Sequence, residues 1–492
     1  MNKPFIFFFL ALNCVLFSCS VSKTYSPSEK YPQQALQEDY LVLKGILEEK
    51  HPSLYWYTSK DSMDYYFSKY YYAINDSMTE IQFAWKILAP LVDKIHCGHT
   101  SVGMSKEYVK WAENKRLPSF PLFVKVWNDT MAVTGNLDRK DSIFKRGTLI
   151  TSINGISNHS IIQKMFEYLP EDGHANNINY IRLSANFPYY HRNIYGLSKK
   201  YTVKHTDSSG IEKTDTLSVY VAPKDSVKKD SLTKLERKNF PKTKRILQYR
   251  SLDIDSSGKF AVMTLNTFSN GKLRSFFRKS FKKLKREHIN NLVLDIRSNG
   301  GGSVNLSTLL SRYISRSPFK AGDTLFAKAR GLGPYAKYVK GKFFNNIEMF
   351  FISSKAKDGL YHMKHMERKL YRPKKINHYD GDVYVLTNGP TFSASSLFCN
   401  TVKGQPGITL LGEETGGGWY GNNGIMIPDI ILPNTKTRVR LPLYRIVQYK
   451  HVSIKGTGVI PDIYVPTSYD GLLKGYDKKM QVVKEIILKK GG

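Results

Sequence analysis

Apolar and polar positions follow three rhythms along this 492-residue chain. From about 34 to 95, in YLVLKGILEEKHPSLYW and MTEIQFAWKILAPLVDKI, apolar residues recur at i, i+3 and i+4. That spacing predicts helices with one buried stripe. Between 106 and 225 the period changes to two. FPLFVKVWNDTMAVTGNL alternates as paired strands do. A strand, an Asn-Gly turn and a helix follow in RGTLITSINGISNHSIIQKMFEYL, and KKYTVKHTD with TDTLSVYVA closes the segment as a hairpin. From 250 onward strands and helices alternate. KFAVMTLN, NLVLDI and DVYVLTN read as strands; residues 272–287, VNLSTLLSRYISR and SASSLFCNTVK read as helices. NLVLDI is a continuous apolar run, the pattern of a parallel strand covered on both faces. The third rhythm predicts an α/β fold built of βαβ units.

Breaks in these rhythms suggest the domain limits. Residues 20–33 are rich in Ser, Lys, Pro and Gln and read as a tether. Residues 226–249 are charged and poor in apolar side chains, as in a linker. The expected organisation is a leader at 1–19, a tether and N-terminal helical domain at 20–105, a small β-rich domain at 106–225, the linker, and an α/β core at 250–492. In the leader, Lys3 precedes an apolar run from Phe5 to Phe17. That run is too short to span a bilayer and reads as a signal peptide. It ends in Leu16-Phe17-Ser18-Cys19, which resembles a bacterial lipobox; lipidation of Cys19 is the expected membrane anchor.

Charge changes the picture less than its size suggests. The formal net charge is +33. On an intracellular protein such a balance points to nucleic acid, but an exported chain does not routinely meet any. In KLRSFFRKSFKKLKREH (272–288), Leu273, Phe276, Phe277, Phe281 and Leu284 fall at helical spacing. The cations then occupy the opposite, solvated face, with an anionic envelope surface as the other reading. Cys97 and Cys399 either pair or remain free thiols. His96, Cys97 and His99 cluster, as do His362 and His365, but zinc needs three or four converging ligands. No acidic partner lies close in sequence, so no metal or cofactor is expected.

Two stretches carry candidate chemistry. In LVLDIRSNGGGS a buried strand runs into Gly300, Gly301 and Gly302. Glycines let backbone N–H groups approach a ligand. A phosphate loop would need the Lys-Ser/Thr that is absent here; an oxyanion hole would not. In VYVLTNGPTFSASSLFCN (383–400) a strand meets a helix at three serines. Ser393 either caps that helix or is a nucleophile. In the second case the unpaired N–H of Ala394 and an N–H of the glycine loop would hold the oxyanion.

Taken together, the motifs resemble the C-terminal processing, or tail-specific, peptidases, with the tricorn core as a branch. LVLDIRSNGGG is similar to the family's L-D-L-R-x-N-x-G-G element and TFSASS to its T-A-S-A-S-E element. LLGEETGGG and GTGVIPDIYV are similar to the two elements that follow in that order. The resemblance implies a crotonase-like α/β spiral core, with 106–225 similar to a PDZ domain, especially in RGTLITSINGIS. It implies Ser393 as nucleophile, with the N–H groups of Ala394 and of Gly301 or Gly302 as oxyanion hole.

The departures concern the base and the acid. Where the processing branch carries its lysine base this chain has Gly418. The tricorn branch uses an upstream histidine, and KIHCGHTSV offers His99 in a G-H-T context, with His96 as the fallback. A histidine base predicts a pH–rate curve rising through about 6–7. Where the tricorn branch has a Glu, this chain has Lys455; Glu413 and Glu414 are nearby in motif order. The acid is then supplied elsewhere, or the site is a dyad. The implied protein is a serine endopeptidase of the cell envelope, lipid-anchored on a periplasmic or outer-membrane face. It would act on peptides or proteins, with their C-termini as one point of entry. The rival reading is a catalytically degenerate peptide-binding lipoprotein of the same fold. Capture of a substrate tail by residues 118–223 is expected to be separable from cleavage.

Overall fold

The computed structural model describes residues 25–113, 115–206, 210–223, 246–339, 351–450, 452 and 455–490. The expected leader with Cys19, the start of the tether and nearly all of the linker lie outside the described residues.

The C-terminal half is built on a six-stranded sheet in the order Arg250–Ile254, Ala261–Leu265, Asn291–Asp295, Asp382–Thr387, Ile408–Gly412, Ile463–Tyr464. The first pair is antiparallel and the others are parallel. Alternate residues of the central strands face opposite layers. Leu292, Leu294, Val383 and Val385 pack on helices Leu273–Arg286, Val304–Ile314 and Ala394–Val402. Val293, Tyr384 and Leu386 pack on helix Lys478–Lys490. Burial on both faces is why these strands read as unbroken apolar runs. In helix Leu273–Arg286 the buried positions include all five apolar residues picked out by spacing.

A second, five-stranded sheet runs Ser354–Lys355, Tyr361–His362, Thr324–Ala327, Tyr444–Val447, Gly421–Gly424, with every pairing antiparallel. The N-terminal helices cover it. Leu36, Leu43, Ile46, Phe67 and Phe83 share one apolar cluster with Leu325, Leu441, Tyr444 and Ile446. The helical domain expected up to residue 105 therefore shares its main core with this sheet. Helices of this length bury a single stripe, and here the partner for that stripe comes from far along the chain.

Residues 118–223 form a third sheet and a separate apolar cluster. Its strands run Leu122–Trp127, Thr130–Asn136, Leu149–Ile153, Lys200–Thr206, Glu212–Ser218, with Ile156–Ser157 beside the third. Helix Asn158–Phe166 follows the Asn-Gly turn as the pattern predicts. Helix Asn177–Tyr195 was not anticipated. It kinks at Asn186, just before Pro188, where a proline interrupts the helical bonding. Among the described residues no helix is long and apolar enough to cross a membrane.

Candidate active site

Strands Asn291–Asp295 and Asp382–Thr387 are parallel neighbours with Asp295 opposite Leu386, so both leave the sheet at one edge. Open α/β sheets hold ligands at the carboxyl ends of such strands. Beyond Thr387, the Thr391 N–H donates to the Asn388 carbonyl at 2.8 Å and closes a turn. The Phe392 N–H donates to the Asn299 carbonyl at 3.1 Å, which ties this turn to the glycine loop. Ser393 then takes φ 54° and ψ −122°, a conformation that side-chain-bearing residues avoid. Helix Ala394–Val402 starts at the next residue. A strained strand-to-helix turn of this kind presents the side chain at its apex.

The three serines separate in function of place. Ser393 makes no side-chain bond to the first turn, so it does not cap the helix. Ser395 and Ser396 are fully buried, and Ser396 Oγ donates to the Ser393 carbonyl at 2.8 Å. Of the three, only Ser393 lines a cavity of about 1080 Å³.

The glycine loop presses against this turn. Gly301 has φ +95°, and a Cβ there would lie 2.7 Å from both the Phe392 carbonyl oxygen and Ser393 Cβ. The two donors left open by the sequence differ. The Gly301 N–H donates to Asn299 Oδ1 at 3.0 Å and is taken. The N–H groups of Gly302, Gly300 and Ala394 have no hydrogen-bond partner among the described residues. Gly301 thus serves as the point of close approach rather than as a free donor.

His99 reaches the same cavity from a loop stitched on both sides. Thr100 Oγ1 pairs with His51 Nε2 at 2.9 Å, and the strand Ser101–Gly103 pairs with Arg438–Arg440. The His99 ring lies on the Phe392 ring at 4.7 Å between centroids. A Cβ on Gly98 would meet that phenyl ring at 2.6 Å, so the packing needs glycine. Among the described residues no hydrogen bond joins His99 to Ser393, and the buried Nδ1 of His99 has no partner. Burial, with the charges of Arg440 and Arg182 beside it, pushes this imidazole down to about 3. The expected titration at 6–7 is corrected accordingly: His99 stays neutral through the physiological range. The fallback, His96, does not line the cavity; its Nδ1 lies 3.0 Å from Glu171 Oε1.

None of the expected carboxylates pairs with His99. Lys455 extends its ammonium over the rings of Trp56 and Tyr420, at 4.7 and 5.2 Å. Glu413 Oε2 binds the Lys479 ammonium at 2.5 Å, and Glu414 accepts from the Gly458 N–H. Asp172 holds the loop backbone instead. It accepts from the Gly98 N–H at 2.9 Å and from the Gly418 N–H at 3.3 Å. Burial pushes its carboxyl up to about 6. Its neighbours add to the same clamp: the Gly173 N–H donates to the His96 carbonyl at 3.0 Å and the His174 N–H to Gly456 at 2.7 Å. Sequence reasoning missed Asp172, Arg182 and Arg440. The only signal for Asp172 was a pair of acids before a glycine in PEDGH, and no spacing links it to His99.

Cys97 and Cys399 are buried free thiols. His362 is held by Asp358 and Glu367 at 2.9 and 2.8 Å, whereas His365 lines the cavity. Among the described residues no group of three or more His, Cys, Asp or Glu is placed to hold a metal.

Residues 259–465 match the model of peptidase family S41. Among solved structures, mature CPAF is 14% identical with a TM-score of 0.63, over 94% of this chain and 99% of that one. Its complex with lactacystin is 13% identical with a TM-score of 0.62, over 93% and 98%. A putative peptidase from Parabacteroides merdae is 16% identical with a TM-score of 0.49, over 92% and 97%. No curated protein sequence matches the chain. At these identities the likeness to CPAF is one of fold, and it runs the length of both chains.

Proposed function

We propose that this chain, whose residues 259–465 match the model of peptidase family S41, is a serine-type endopeptidase of mixed α/β fold acting through Ser393 and His99. The Ser393 hydroxyl attacks the scissile carbonyl and its proton passes to His99. The N–H groups of Ala394 and Gly302 receive the negative charge on the carbonyl oxygen. His99 then returns the proton to the leaving amine, and water releases the acyl group from Ser393. The observation that carries this reading is the left-handed Ser393 at a strand-to-helix turn, opening into the cavity that His99 also lines. The core is read as a crotonase-like spiral and residues 118–223 as a PDZ-like domain that presents substrate chains.

A serine-directed fluorophosphonate tests the assignment. Label should appear on the wild type and on Ser395→Ala but not on Ser393→Ala. His99→Ala should cost at least ~10³-fold in turnover. Label that follows Ser395 instead would overturn the register.

A second reading, peptide binding without cleavage, has its own support. His99 has no carboxylate partner and faces two guanidinium groups. Removing the acid of a serine triad costs ~10⁴-fold in a known case. Peptide binding with no label would select this reading.

The envelope location rests on the lipobox-like leader. Cys19→Ala should move the protein from the membrane to the soluble fraction, since the lipid is the anchor. Persistent membrane association would point to an uncleaved leader.

A further inference from the structure

Arg182, Lys369 and Arg440 line the cavity at Ser393 beside His99, and among its described lining residues there is no Asp or Glu. Glu171 and Asp172, outside that lining, lie close enough to Arg182 to favour its charge. Arg182 uses one end of its guanidinium internally: Nη1 donates to the Pro170 carbonyl at 2.6 Å and to Asn179 Oδ1 at 2.9 Å. Those bonds fix the side chain and leave Nε and Nη2 without a partner among the described residues. Among the described residues Arg440 has a single weak tie, Nε to Asp429 Oδ1 at 3.5 Å, and it is exposed. Lys369 is exposed and lies over the Tyr371 ring at 5.2 Å. Unspent guanidinium donors beside a reacting centre are a receptor for a planar, two-oxygen anion.

We infer that the site selects peptides with a carboxylate near the scissile bond, received between Arg182 and Arg440 with Lys369 at the rim. The inference rests on the peptidase reading and names its substrate class. The carboxylate is an Asp or Glu side chain of the peptide; a free C-terminus is the alternative that the test separates from it. Its arrival also bears on the base. Burial is the main reason His99 resists a proton; Arg440 and Arg182 add to it, and a bound carboxylate would offset their part. An acidic substrate would therefore add to the counter-charge that Glu171 and Asp172 give Arg182 and that Asp429 gives Arg440. No proton needs to reach that carboxylate; its contribution is electrostatic.

The test uses matched fluorogenic peptides on the full-length protein. One pair differs by Glu or Gln beside the scissile bond, both with amidated C-termini. A second pair, carrying Gln, ends in a free acid or an amide two residues after the bond. The favoured member should show at least about tenfold higher kcat/KM, the factor for one good charge-assisted contact. The advantage should shrink at 0.5 M salt. A preference in the first pair supports the inference; a preference confined to the second would overturn it in favour of the terminus. Arg440→Glu should invert the preference in favour of a Lys-containing peptide, and because Arg440 is exposed this variant should fold. Binding of the same peptides to Ser393→Ala, read by fluorescence anisotropy, measures the charge preference without turnover. Labelled, active enzyme with equal rates in both pairs would overturn the inference alone. Absent labelling with selective binding would overturn the cleavage reading and leave the charge preference standing.

Discussion

At the scale of single residues, two positions decide whether the site is assembled. Asp172 bridges the backbone of the His99 loop and that of Gly418 through one carboxylate. Its carboxyl is raised to about 6 by burial, while His99 is held down at about 3. Between pH 5 and 8, then, Asp172 titrates and His99 does not. Protonation on falling pH weakens the two bonds Asp172 accepts, so kcat/KM should fall as pH drops through about 6. In Asp172→Asn that limb should vanish and the plateau should be lower. An unchanged limb in the variant would return the ionisation to another group. Gly301 offers a cleaner steric test. Its φ of +95° and the 2.7 Å approach to Ser393 Cβ leave no place for a methyl group. Gly301→Ala should lose about 1–3 kcal/mol of stability in urea and at least ~100-fold in kcat. At Gly300 an added Cβ meets nothing within 4 Å, so Gly300→Ala should retain wild-type stability.

At the scale of elements, the helix Leu273–Arg286 shows how much a pattern can carry. Its apolar spacing is fixed by one neighbour, the core sheet, and its basic face needs only water. Phe277→Ala should cost about 3–5 kcal/mol, because that ring is fully buried. Lys282→Ala should stay within about 0.5 kcal/mol, because the side chain is exposed. Denaturation of both variants checks the pair, and a large effect at Lys282 would give the basic face a structural partner. Helix Asn177–Tyr195 is the opposite case. Pro188, the kink at Asn186 and a high share of tyrosine obscure its period. Its sequence does not read as a helix for that reason, and Arg182 is hidden with it.

At the scale of the whole molecule, the sheet of 118–223 was expected to be detachable from the chemistry. The loop at 170–177 instead contacts the His99 loop, Gly418 and Gly456, and the Asn177 amide donates to the Glu414 carbonyl at 2.8 Å. Deleting 118–223 removes both Asp172 and Arg182 from the cavity region. We expect loss of turnover on short and long peptides alike, rather than a higher KM for long ones. Full activity of the deletion variant on short peptides would restore the detachable view.

The sequence by itself determined what depends on near neighbours and on local period. The parallel strands, the basic helix, the Asn-Gly turn and the turn at Ser393 were legible because each places its apolar residues against one broad surface or forces one local backbone shape. The approach of Gly301 to Ser393, the fusion of the N-terminal helices with the second sheet and the reach of His99 into the cavity were decided only by tertiary structure. So was the choice between capping and projection for Ser393, since it depends on where a hydroxyl finds a partner. Asp172 and the His99 loop are far apart in sequence, and the bond from the Gly98 N–H to Asp172 depends on the docking of the 118–223 sheet on the core. Contacts of that range leave no period in the chain, because each is made once, between segments whose spacing in sequence is free.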